Sequence, residues 1–143
     1  MLRIAVCDDD PIYINSTLKP LFSEALKAAE LPAEIHFFVD GVSLLGEFRA
    51  HNGYDIVFLD IDMPDVNGIA LAEELRKLDA RFYLAFLTAY PDEAINTIPY
   101  SVKAFIPKNY SRGNILSTLA KLFKDYSAAW EEHTVFEIIK DGE

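Results

Sequence analysis

Cysteine is nearly missing from this chain of 143 residues, where Cys7 stands alone. One thiol cannot close an internal disulfide or build a thiolate metal cage, so disulfide scaffolds and zinc fingers are excluded. Basic side chains are also scarce, 13 against 23 acidic ones, for a formal charge of −10. Such a surface repels a phosphate backbone and argues against direct nucleic-acid binding by these residues. Long apolar runs are absent too. Ile56 to Leu59 and Phe82 to Leu87 fall far short of the roughly 20 residues that cross a bilayer, so no membrane helix is predicted. The opening Met1-Leu2-Arg3-Ile4-Ala5-Val6-Cys7 turns acidic before it could serve as a secretory signal, and a cytoplasmic location is expected. Apolar residues are plentiful at 51%, which suffices for one packed core at this length.

The chain alternates strand and helix signals. Leu2 to Cys7 is a short apolar run, and Pro11 is a good first residue for a helix whose stripe is Leu18, Leu21, Phe22, Ala25, Leu26 and Ala29. Pro20 sits inside that helix and predicts a kink or an early break near Ser16. Ile35 to Val39 reads as a second strand, followed by a short helix that stops near Asn52-Gly53. Asp55 to Leu59 is apolar on both faces, as the middle of a covered parallel sheet requires. After the Met63-Pro64-Asp65-Val66-Asn67-Gly68 turn comes a helix with Leu71, Ala72, Leu75 and Leu78 on one face. Phe82 to Leu87 is a fourth strand ending at Thr88, and a weak helix lies between Pro91 and Pro99. Lys103 to Pro107 is a fifth, ending at Lys108.

Ser111 caps a last helix running to Glu132, roughly 33 Å long and more than a small sheet needs. Its far end is predicted to leave the domain. Thr134 to Lys140 alternates like a strand before Asp141-Gly142, so the chain divides into a domain at 1–125, a helical linker at 126–133 and the first strand of another domain at 134–143. The fold class is α/β, a doubly wound five-stranded parallel sheet with helices on both faces. In such folds function gathers at the carboxyl ends of strands. Asp8 and Asp9, Asp60, Thr88 and Lys108 all sit at such ends.

Carboxylates crowded into one cleft repel each other until a hard divalent cation neutralises them, and Mg2+ is the natural candidate. An aspartate there can attack phosphorus, with Lys108 and Thr88 meeting the oxygens of the transferred group. Each piece also has a plainer explanation. The Asp8-Asp9-Asp10 run before Pro11 is equally well explained as a helix cap, and Lys108 as a solvated surface lysine. Asp60 is harder to dismiss, since a carboxylate directly after Ile56-Val57-Phe58-Leu59 is costly to bury without a partner.

Taken together, Asp8-Asp9, Phe58-Leu59-Asp60-Ile61-Asp62-Met63-Pro64 followed by Gly68, Leu87-Thr88-Ala89, Phe105 and Lys108 resemble the receiver domain of bacterial two-component response regulators. The resemblance covers Leu2 to about Lys124. It implies the strand order 2-1-3-4-5, a phosphoacceptor Asp60 served by a sensor histidine kinase, and Mg2+ held by Asp9, Asp60 and the backbone carbonyl near Asp62, with Asp8 binding through water. It also implies that Thr88 and Phe105 form a switch. Phe86-Leu87-Thr88-Ala89-Tyr90 and the tail Phe136 to Gly142 look most like the branch with a LytTR-type DNA-binding domain, so DNA contact would belong to a further C-terminal domain. One departure stands out: where the family usually has proline after its lysine, this chain has Asn109.

Two further expectations follow. Phosphorylation should promote a homodimer through the face of the fifth strand and its flanking helices and then through the long last helix, with Tyr126 and Trp130 at the seam. Asp62 and Tyr90 should border the water that attacks the phosphoryl group and so set its lifetime. The rival readings are a receiver-like module that signals without phosphate and, on the Asp60-Ile61-Asp62 pair, a phosphatase of the haloacid-dehalogenase type. The latter family's pair follows its first strand, whereas this one follows the third. Apart from phosphorylating and dephosphorylating itself, the domain is expected to be no enzyme.

Overall fold

The structure, a computed structural model, describes the backbone of residues 1–51, 53–89 and 91–141, and the side chains of these except 91, 93, 95, 97, 98 and 130–141. Five strands, β1 (Leu2–Cys7), β2 (Ala33–Phe38), β3 (Ile56–Leu59), β4 (Tyr83–Thr88) and β5 (Val102–Pro107), form one sheet. Every neighbouring pair is parallel, and the order is β2-β1-β3-β4-β5, as expected.

Successive side chains of a strand point to opposite faces, and both faces are apolar here because both are covered. On one side Ile4, Val6, Ile56 and Phe58 meet helix α1, built from Pro11–Tyr13, Ile14–Leu18 and Lys19–Ala28 in unbroken succession, and helix α4 (Arg112–Asp141). Phe22 stands edge-on to Phe58 at 4.8 Å between ring centroids. On the other side Ala5, Cys7, Val57 and Leu59 meet α2 (Gly41–Ala50) and α3 (Gly68–Leu78). Leu78, expected on the α3 stripe, is instead exposed. Among the described residues no helix is long and apolar enough to cross a membrane.

Of the kink or early break expected near Ser16, the break does not occur, but the helix is irregular there. Residues Ile14–Leu18 form a π turn, in which the Lys19 N–H reaches back five residues to the Ile14 carbonyl, and Pro20 opens the next α segment. The wider turn carries the helix past a residue that has no N–H to give. The region between β4 and β5 is a 3₁₀ helix, Pro91–Tyr100, with Pro99 inside it.

A second correction concerns the tail. The strand predicted at Thr134 to Lys140 is helical, because α4 continues to Asp141. Among the described residues no further strand lies beside it, and a helix pairs its own N–H and C=O groups where a lone strand would leave them open. Gly142 of the predicted hairpin turn lies outside the described residues.

Candidate functional site

Four strand ends meet at the carboxyl edge of the sheet. The Asp8 N–H bonds the Phe38 carbonyl at 3.0 Å and the Asp60 N–H bonds the Cys7 carbonyl at 3.0 Å, so these aspartates extend the ladder one step past β1 and β3. Likewise the Lys108 N–H donates to the Thr88 carbonyl at 2.8 Å, just beyond β5. The three adjacent acids after β1 separate here. Asp10 turns away to cap α1, accepting from the N–H groups of Ile12 and Tyr13. Asp8 is buried and Asp9 is exposed at the rim.

Lys108 reaches across the crevice and bridges two buried carboxylates, its Nζ 2.6 Å from Asp8 Oδ2 and 2.8 Å from Asp60 Oδ2. The other Asp60 oxygen accepts the Ile61 N–H at 2.7 Å, and Asp8 Oδ1 accepts the Asp10 N–H at 3.0 Å. Burial pushes Asp8 above the ordinary carboxylate range, although Lys108 and the Asp10 N–H pull the other way. Burial pulls the Lys108 ammonium down, but its bonds to Asp60 and Asp8 outweigh this and its pKa lies above the usual lysine value.

One ammonium therefore serves a pocket of three acids, since carboxylate oxygens of Asp8, Asp9 and Asp60 lie within 4.8 Å of one another. Hard oxygen donors at this spacing, with charge left to neutralise, fit Mg2+. The departure at Asn109 does not displace the lysine. The Lys108–Asn109 peptide is trans, and Lys108 is seated on both carboxylates all the same.

Thr88 is fully buried at the end of β4, one strand from Asp60. Phe105 is half-buried, its ring 6.0 Å from that of Phe86 and tilted by 38°. Asp62 is exposed, while Tyr90 lies outside the described residues and Trp130 outside the described side chains. Tyr126, expected at a dimer seam, is half-buried against its own domain. Its ring stands edge-on to Tyr83 at 5.0 Å, and burial together with a hydrogen bond to Asp55 pushes its hydroxyl up to about 12.

Two supports were not found from the sequence. Tyr13 places its ring under the Lys108 ammonium, 4.7 Å from the centroid, although only its helical position was legible. Gly68 reads in the sequence as a turn residue, but its reason is contact: a Cβ there would overlap the Asp60 carbonyl oxygen and press on Ile61.

Known proteins resemble this chain in sequence and in shape. The family described as "Response regulator receiver domain" matches residues 4–120. Protein MrkE of Klebsiella pneumoniae is 32% identical over 95 residues, 66% of this chain and 34% of that protein. The sensory transduction protein LytT of Bacillus cereus is 32% identical over 124 residues, 87% of this chain and 48% of that protein. The chain thus spans between a third and a half of these relatives. Among solved structures, the response regulator TrrA of Thermotoga maritima in complex with Mg(2+)-BeF is 28% identical, with a TM-score of 0.69 over 85% of this chain and 99% of that one.

Proposed function

The chain belongs to the response regulator receiver domain family, and on that premise we propose that it accepts a phosphoryl group on Asp60 from a sensor histidine kinase in the cytoplasm. Its relatives LytT and MrkE fit the resemblance to the LytTR branch. The observation that carries the reading is the Lys108 bridge between Asp8 and Asp60 at the converging strand ends. It puts a cation beside the nucleophile and within reach of the oxygens of an incoming phosphoryl group.

In the proposed step an Asp60 carboxylate oxygen forms a bond to phosphorus, and the bond from phosphorus to the donor's histidine nitrogen breaks, its electron pair staying on nitrogen. Lys108 leaves the Asp60 oxygen for a phosphoryl oxygen, and the Thr88 hydroxyl takes another. Asp9, Asp60 and the backbone carbonyl of Asp62, with Asp8 through water, would hold Mg2+, which supplies neutralisation of the gathered negative charge. Catalysis here is limited to the domain's own phosphorylation and dephosphorylation. Asp62 and Tyr90 tune the second of these, which a faster loss of the phosphoryl mass in Tyr90→Ala would reveal.

Output is proposed to follow from Thr88. Movement of its side chain toward the phosphoryl group makes room for Phe105, shifting the population between two conformations of the β4–β5 face. A dimer through α4 then controls a DNA-binding domain that follows, with α4 from residue 126 onward as the helical link to it.

The test is the intact mass after incubation with acetyl phosphate and Mg2+. One added phosphoryl mass is expected in the wild type and none in Asp60→Asn or with a chelator. No gain in the wild type would overturn the proposal and leave the module that signals without phosphate.

A further inference from the structure

We propose that Tyr13 is the positioning residue for Lys108, its ring holding the ammonium over the acidic pocket. This rests on the phosphoacceptor reading above. The backbone of Lys108 is secured, its N–H on the Thr88 carbonyl and the turn after it closed by the Tyr110 N–H on the Pro107 carbonyl at 3.1 Å. Its side chain is another matter. Four methylenes separate the Cα from the charge, and an ammonium has no preferred plane, so its direction must come from what it touches. It touches Asp8, Asp60 and the face of Tyr13.

Two of those contacts are ionic and are weakened by the function itself. A divalent cation drawn to Asp8, Asp9 and Asp60 competes for the same oxygens, and a phosphorylated Asp60 no longer offers a free carboxylate. The ring carries no charge to be neutralised, so its attraction for the ammonium persists through both events. Tyr13 is also well held. Its N–H bonds the Asp10 cap, it precedes the π turn that opens at Ile14, and its half-buried side chain packs against the apolar cluster of α1 and α4. A clamped aromatic with two rotatable bonds is a firm reference for a mobile lysine.

The contact uses the face of the ring and not the hydroxyl, so Tyr13→Phe should keep it and Tyr13→Leu should lose it. Trace labelling of the full chain with acetic anhydride, read by peptide mass, reports how firmly each lysine is held without any phosphoryl transfer. The expected result is labelling of Lys108 faster by about tenfold in Tyr13→Leu, other lysines unchanged, with phosphorylation by acetyl phosphate slower by a similar factor. Tyr13→Phe should match the wild type in both. If Tyr13→Leu fails to fold, Tyr13→Met removes the ring with less change of shape. Unchanged Lys108 labelling in the ringless variant, or a Tyr13→Phe variant as impaired as Tyr13→Leu, would overturn the proposal. A wild type that takes no phosphoryl group would sink the phosphoacceptor reading, while the labelling would still decide whether the ring holds the lysine.

Discussion

Asp8, Asp9 and Asp10 are chemically the same residue three times, and their surroundings divide the work. Asp10 faces the open N–H groups of α1 and caps them, Asp8 is buried against Lys108, and Asp9 stays at the rim. Substitution should therefore separate stability from metal binding. Asp10→Ala is expected to cost about 1 kcal/mol in urea unfolding, the usual loss for a capping side chain, and to leave the Mg2+ midpoint nearly unchanged. Asp9→Asn should do the reverse, removing the rise in Tm that Mg2+ produces by binding the folded state. Cys7, one residue earlier, illustrates burial without function. Desolvation first, then the nearby Asp65, Asp40, Asp8 and Asp60, push its thiol up from 9.0 to about 12. The unfolded thiol ionises near pH 9 and the folded one does not, so the stability linked to this group is complete below pH 9. That contribution is lost as pH rises toward 12. A disulfide reagent at pH 8 should leave Cys7 untouched in the native protein and label it fully in urea; native labelling at the unfolded rate would contradict this burial.

At the scale of elements, the 3₁₀ helix after β4 matters most, because it joins Thr88 to β5. Its far end is fastened by Arg76 of α3, which donates to the carbonyls of Tyr100, Phe82 and Ser101 and lies 4.0 Å over the Phe82 ring. Ser101 itself has φ 57, left-handed backbone that a serine does not favour, so the clasp holds a strained exit. Arg76→Leu leaves carbonyls without their donor and should cost about 2 kcal/mol, with faster amide exchange across Pro91–Tyr100. Loss of stability with unchanged exchange in that stretch would show that the clasp does not hold it. Gly68 has a comparable part at the other active-site loop. It lets α3 start in contact with the Asp60 and Ile61 backbone, its N–H 2.7 Å from the Ile61 carbonyl.

For the whole molecule the question is how a local charge reaches α4. The helix has 30 residues, about 45 Å at 1.5 Å per residue, which is longer than the sheet it covers. Tyr126 marks the last described side chain tied to the domain, through Tyr83 and Asp55 at the opposite end of the strands from Asp60. The stretch of α4 that follows, which includes Trp130, is the dimer surface proposed from the sequence. Sedimentation velocity should show a monomer shifting toward dimer when beryllofluoride and Mg2+ are added; equal coefficients with and without them would rule out phosphate-driven dimerisation.

Sequence alone determined the α/β class, the five strands and the residues at their ends, because apolar runs, turn residues and acids at fixed places are local signals that need no partner. It also carried Ser111 as the cap of α4, whose hydroxyl accepts the Asn114 N–H at 3.2 Å. Tertiary structure decided everything that depends on which groups meet. Pro20 predicted a kink or an early break near Ser16, and with Leu21 and Phe22 packed on the sheet the helix continues past that point through a π turn. That Tyr126 packs edge-on to Tyr83 was likewise not legible, because an apolar stripe does not say which surface covers it. The tail looked like a strand, because alternation does not say whether a neighbour is there to pair with. Lys108 and Tyr13 are 95 positions apart in the chain, and only the folding of β5 beside β4, with α1 across the sheet, brings the ammonium onto the ring.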